Sequence, residues 1–243
     1  MSGVHYIPAA EVRLMDMKAP LLSSDTPFHG LRARAQRRAA YTLAVQTAVR
    51  WRYGHIDQEL LAHTAMLNRI YDMRPLLLNG GRVVPPAIGE ASDAFRLFSP
   101  KSAASTVTTY RILMPARIAT AMPTWRQYLI QDYTVTDRVN PVLLPRNDAE
   151  RRLWKAAVTR GWKRGLWLAT RLFRTNLATL TRDMVGMIRF KRLANQGLVS
   201  VPILATNMPR IEVEGRTLEI GRREFRITQN AAWRPESEWR AKR

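Results

Sequence analysis

Apolar residues recur every three or four positions through the second half of the chain. They are Trp154, Val158, Trp162, Leu166, Ala169, Phe173, Leu177, Leu180, Met184, Met187 and Ile188. That period is one face of an α-helix. Between them stand Arg151, Arg152, Lys155, Arg160, Lys163, Arg164, Arg171, Arg174 and Arg182. The segment therefore predicts a long amphipathic helix with a buried stripe and a basic outer face. Asn147 with Glu150 is a capping-box start, and Gly197 is a good C-terminal stop. Gly161, Gly165 and Gly186 permit a kink or a close helix contact.

Weaker periodicity precedes it. Leu31, Ala35, Ala39, Leu43, Gln46 or Thr47, and Arg50 form an Ala-rich stripe. Ile56, Leu60, Leu61, Met66 or Leu67, Ile70 and Tyr71 form a stronger one. Gly54 lies between them, so the pair predicts one kinked helix or two helices. Pro75 ends the run, because its ring clashes with the preceding turn. Residues 1–29 show no clear period and read as an extended N-terminal arm.

The pattern changes over 79–122. Asn79-Gly80-Gly81 is a turn signal and Pro85-Pro86 a breaker. Ala94–Phe98 and the β-branched Thr106–Met114 predict short strands. Pro123, then Thr124 with Gln127, opens a short helix that carries Trp125, Tyr128 and Leu129. In the tail, Ile211–Val213, Thr217–Ile220 and Glu224–Ile227 alternate apolar and charged residues. Gly215 and Gly221 fall between them, and the spacing predicts a three-stranded meander. The fold class is α+β: mainly helical, with a long amphipathic helix, short central strands and a C-terminal β-meander. Residues 30–243 read as one domain.

Charge sharpens this picture. Of 243 residues, 39 are Lys or Arg and 19 are Asp or Glu, a net charge of +20. Residues 101–200 carry 18 basic and 5 acidic groups and so hold +13 of that total. Such a field suits an acidic partner, whether nucleic acid, anionic lipid or an acidic subunit, or simply an Arg-rich solvated surface. With no cysteine, a disulfide scaffold, a Cys-ligated zinc site and a Cys nucleophile are excluded. No apolar run approaches the roughly 20 residues needed to span a bilayer. Met1–Ala10 lacks the basic and apolar regions of a signal peptide. Taken literally, that predicts a cytoplasmic protein.

Chemistry-bearing motifs are sparse. His55, Glu59 and His63 share one helix face, but the outer two lie about 12 Å apart along the axis. One ion cannot touch both, so a solvated face is the expectation and no metal site is assigned. Gly80-Gly81-Arg82 is a turn and not a phosphate cradle. The serines lack a nucleophile-elbow context. No catalytic residue and no cofactor is expected. Aromatic and basic residues do mix at Trp51-Arg52-Tyr53, Trp125-Arg126-Gln127-Tyr128 and Trp162-Lys163-Arg164. Stacking rings in a basic groove bind single strands, yet Trp125 and Trp162 fall at apolar helical positions, where packing is the simpler use.

One resemblance goes further. Thr124-Trp-Arg-Gln-Tyr-Leu-Ile-Gln-Asp-Tyr133 resembles a hallmark of the DotC family. Leu143-Leu-Pro145, Glu150, Trp154, Arg160-Gly-Trp162 and Gly165 follow in the family's order. So do Gly186-Met-Ile188 and Gly197-Leu-Val-Ser-Val-Pro202. Ile70-Tyr-Asp72, the Arg216–Thr228 region and Glu238-Trp-Arg-Ala241 extend the similarity over roughly residues 40–241. That family comprises outer-membrane lipoproteins of type IVB secretion systems, both effector exporters and conjugation machines. The resemblance implies a non-catalytic structural subunit of the outer-membrane core complex. It would join DotD-like and DotH-like partners in a ring-forming hetero-oligomer in the periplasm. The chain departs from the family in having no cysteine for a lipobox.

Within this reading, Trp125, Leu129, Trp162, Leu166, Phe173 and Leu177 are the expected structural core. Arg126 and Tyr133 are the candidate subunit interface, since Arg and Tyr are favoured interface anchors. A basic nucleic-acid-binding protein is the alternative from a different class.

Overall fold

The computed structural model describes residues 8–18, 30–99, 102–134, 139–208, 210–214 and 217–238. The chain groups into two compact units, each discontinuous in sequence. One is Met1–Ala65 with Tyr128–Leu177, and the other is Met66–Gln127 with Ala178–Arg243.

The first unit is helical. It contains α1 (Ala9–Met15), α2 (Gly30–Ala62) and the first part of α5 (Asp148–Asn195). The region read as an extended arm thus includes a helix; its remaining residues, 1–7 and 19–29, lie outside the described ones. Pro8 opens α1, where its missing N–H costs nothing. Leu14 is buried, and its carbonyl accepts the Trp154 indole N–H at 2.8 Å. A segment without visible period is helical because its few apolar residues find a large partner.

Helix α2 runs unbroken through Gly54, and the break falls at His63, before α3 (Thr64–Ile70). Its buried face is Ala33, Gln36, Ala40, Leu43, Ala44, Ala48 and Tyr53. Of the Ala-rich stripe Leu43 falls on this face, while its other positions lie one or two residues away from the buried ones. The stronger stripe is largely exposed at Leu61, Met66 and Ile70.

The small residues of α2 meet the glycines of α5. A Cβ on Gly161 would lie 2.5 Å from the Tyr41 carbonyl oxygen and 2.9 Å from the Ala44 Cβ. On Gly165 it would lie 2.5 Å from the Val45 carbonyl oxygen and 2.6 Å from the Ala48 Cβ. Residues four apart share a helix face. Gly161 and Gly165 therefore form a notch into which the α2 backbone fits. Around it, Leu43, Trp154, Ala157, Val158 and Trp162 form the core.

The second unit mixes helix and strand. Asn79, Gly80 and Gly81 all have positive φ, at 50°, 65° and 88°, and close the predicted turn. Strand β1 (Val83–Val84) pairs with β4 (Arg117–Ile118). β2 (Ala87–Ser99) and β3 (Ser102–Met114) form one antiparallel hairpin, longer than the short central strands expected. One-turn α4 (Trp125–Leu129) starts directly after Thr124. β5 (Ile203–Thr206), β6 (Arg210–Glu214), β7 (Thr217–Arg222) and β8 (Phe225–Gln229) follow.

The three tail strands form, but their pairing differs from a meander. β6 pairs with β7, whereas β8 pairs with β5. Gly221 lies inside β7 and is not a turn residue. Asn207 accounts for the switch. Its side-chain oxygen accepts the Glu224 N–H at 2.7 Å, and its own N–H donates to the Glu224 carbonyl at 3.3 Å. That clamp fixes the start of β8 beside the end of β5.

Helix α5 supplies Phe190 and Leu193 to this unit's core, with Ile88 and Val199. Gly186 lets it approach Ala87, whose Cβ would lie 2.8 Å from an added Cβ. Gly197, at φ 76°, ends the helix; its N–H bonds to Ala194 and that of Leu198 to Leu193. This is the C-terminal stop the sequence predicts.

Candidate functional site

Two segments of the family resemblance, Ile70–Asp72 and Thr124–Arg126, come together in the second unit. The Trp125 indole N–H donates to the Asn68 side-chain oxygen at 2.8 Å, and Arg126 donates to the same oxygen at 3.2 Å. A cleft of about 190 Å³ is lined there by Asn68, Tyr71, Asp72, Arg74, Thr124 and Trp125, among others. The Asp72 carboxylate takes two bonds from the Arg74 guanidinium, each 2.8 Å. Those side-chain bonds, with the Arg74 N–H, hold the carboxyl below its ordinary range. The cleft thus has an apolar wall and a charged, solvent-facing rim.

Trp125 is buried at 1% exposure. The Arg126 guanidinium carbon sits over its ring, 4.5 Å from the centroid. Its contacts to Asn68 and Trp125 place Arg126 beside two residues that line the cleft. Tyr133 is turned inward within the first unit, where its ring packs 4.6 Å from that of Tyr53. Leu129 and Trp162 are buried, whereas Leu166, Phe173 and Leu177 are half-buried. Trp162 packs 5.9 Å from Trp51.

Polar groups buried in the first unit hold the helix pair. Glu150 accepts Arg32 at 2.9 Å, Gln36 at 3.2 Å and the Arg146 N–H at 2.9 Å, while Asn147 caps the Glu150 N–H. Burial pushes the Glu150 carboxyl up, but these bonds and the Arg32 charge outweigh it and hold it below its usual range. Elsewhere in the unit, Asn176 donates to the Tyr53 hydroxyl at 3.0 Å. Burial, then the charge of Asp132, pushes the nearby Asp57 carboxyl up. His55 and His63 bond to the carbonyls of Trp51 and Glu59, four residues back. Their rings are thus tied to their own helix, and no metal-binding cluster is present among the described residues.

The sequence reading missed two surfaces. One is a groove of about 430 Å³ in the second unit, lined by Val201, Ile203, Trp233, Pro235 and Glu238, among others. Val201, Ile203 and Trp233 are roughly half exposed. The other is Trp167, 46% exposed on α5, between Arg164 at 4.1 Å and Arg171 at 5.2 Å from its ring centroid. Tryptophan outside the apolar stripe of an otherwise basic face was the available signal.

Residues 30–241 match the model of a family described as type IV secretory system, conjugal DNA-protein transfer. The chain belongs to that family. The match takes in both described parts of each unit from α2 onward, including the cleft and the groove. No curated protein matches the chain. Membership in this conjugal-transfer family sets the role coarsely, as part of a type IV secretion or conjugation apparatus. Among the described residues, no helix is long and apolar enough to cross a membrane.

Proposed function

We propose that the chain is a non-catalytic structural subunit of the outer-membrane core complex of a type IVB apparatus. It resembles DotC and assembles with DotD-like and DotH-like partners into a periplasmic ring. The observation that carries this reading is the convergence of Ile70–Asp72 and Thr124–Arg126 on one cleft. Those segments are separated in the chain yet belong to the same resemblance, and the family match covers both. The groove at Val201, Ile203 and Trp233 adds a half-exposed apolar surface of the kind subunits cover on assembly.

Detergent extraction of envelopes, affinity capture of the chain and mass spectrometry test the proposal. DotD-like and DotH-like subunits are the expected companions. Ile203→Asp should remove them while leaving the melting temperature of the purified chain unchanged, because Ile203 is already exposed. Recovery of the wild-type chain as a lone cytoplasmic monomer would overturn the reading.

A further inference from the structure

We propose that the outer face of α5 in the first unit binds single-stranded nucleic acid. Arg152, Arg160, Lys163, Arg164, Arg171 and Arg174 are all exposed. At 100° per residue they fall within about 60° of the direction of Trp167. The stripe extends about 33 Å along the helix axis, with a cation on nearly every turn. From Arg151 to Arg182 the sequence contains no Asp or Glu. An ordinary solvated helix face carries both signs and pairs them three or four residues apart; this one does not.

Three features select the occupant. The stripe is a regular polycation, matching a polymer with a charge at every nucleotide. Arginine predominates over lysine, and its planar fork suits phosphate oxygens. Trp167 is an exposed indole in the middle of the row, the group on which bases stack. Arg164 and Arg171 flank it, with their guanidinium carbons 4.1 and 5.2 Å from its ring centroid, a cation–π arrangement that sets two charges beside the stacking surface. A protein partner would need an apolar centre to the interface, whereas the apolar residues on this row are Leu153 and Ala156 near one end and Trp167, set apart from them by cations. The same shortage argues against insertion into a lipid surface. The inference stands apart from the choice of ring partners; it concerns a face of the helix that the cleft and groove do not use.

The test is fluorescence anisotropy of a labelled, mixed-sequence single-stranded DNA oligonucleotide with the purified full-length chain across a salt series. Tight binding at low salt is expected, weakening linearly in log salt. Arg164→Ala with Arg171→Ala should lower the salt slope by roughly 1.4, at about 0.7 per phosphate contact. Trp167→Ala should weaken binding roughly 5- to 100-fold, and Trp167→Phe should restore most of it. Arg34→Ala with Arg38→Ala removes the same charge from exposed positions on α2 and should change neither quantity materially. All variants alter exposed residues, and unchanged melting temperatures confirm that they fold. No binding at low salt overturns the proposal. So does equal loss in the α2 control, which would mean attraction by net charge alone. Displacement of the DNA by an acidic peptide at lower concentration than by unlabelled DNA also overturns it, in favour of a protein partner. Envelope capture of ring partners is unaffected by any of these outcomes, so the two proposals fail separately.

Discussion

The two halves of α5 weight close approach and side-chain volume differently. In the first unit the helix faces its neighbour with Gly161 and Gly165, and the α2 backbone occupies the space of the missing side chains. In the second unit it faces the strand-containing core with Phe190 and Leu193, which are buried among Ile88 and Val199. The first half makes two close backbone approaches, at Gly161 and Gly165, whereas the second makes one, Gly186 against Ala87, and adds the side-chain volume of Phe190 and Leu193. Close approach is intolerant of added atoms; volume packing is intolerant of lost ones.

Substitutions of opposite sense can break this contrast. Phe190→Ala should cost the second unit about 3–5 kcal/mol, as for other large buried aromatics. Thermal unfolding followed by near-ultraviolet circular dichroism measures it. A cost under about 1 kcal/mol would mean that volume does not hold this half.

Gly165→Ala should cost about 1–3 kcal/mol, although alanine favours helix, because the notch is filled. Ala48→Gly should restore only part of that loss. It removes the Cβ that would lie 2.6 Å away, but the Val45 carbonyl at 2.5 Å remains. Full rescue would show that side chains, and not backbones, set the approach.

The carboxylates of the first unit sharpen the comparison by pH. Glu150 is held below its ordinary range, so its ionised form stabilises the fold. Glu150→Gln should lose about 1–3 kcal/mol at neutral pH, where charged hydrogen bonds are lost. That deficit should shrink as pH falls through the native Glu150 value. Asp57 has the opposite sign: its raised value means that its ionised form opposes folding at neutral pH. Asp57→Asn should therefore raise the melting temperature slightly at neutral pH, and the gain should vanish below about pH 4, the ordinary carboxyl range. Denaturant titrations of both variants across pH test the pair. A constant difference from wild type would refute either assignment.

The smallest effect is expected at Gly54, in the middle of α2. An added Cβ there meets nothing within 4 Å. Gly54→Ala should stabilise α2 by about 0.5–1 kcal/mol through backbone entropy alone. A loss would mean that Gly54 contributes a bend that the continuous helix does not show.

The long helix, its Asn147 start and its Gly197 stop were legible because a 3.6-residue period and capping chemistry are local. The Asn79-Gly80-Gly81 turn was legible for the same reason, since its three positive φ values favour those residue types. Most of the α2 face escaped the pattern because alanine is a weak hydrophobic signal; only the partner glycines show that small size, and not greasiness, buries Ala44 and Ala48. The more hydrophobic Leu61, Met66 and Ile70 look like core in sequence and are exposed in the fold. Arg126 and Tyr133 share one recognised segment, yet the fold sets the first over Trp125 and the second against Tyr53.

The sequence by itself determined the α+β class, the basic and amphipathic long helix, and the strand positions in the tail. These follow from periodicity and turn chemistry within a few residues. Only the tertiary structure decided that β8 pairs with β5, that Ile70–Asp72 meets Thr124–Arg126, and that Trp167 stands exposed between two arginines. Each depends on which surfaces meet. Strand pairing and side-chain burial are set by groups far apart in the chain, whose mutual fit no local pattern encodes.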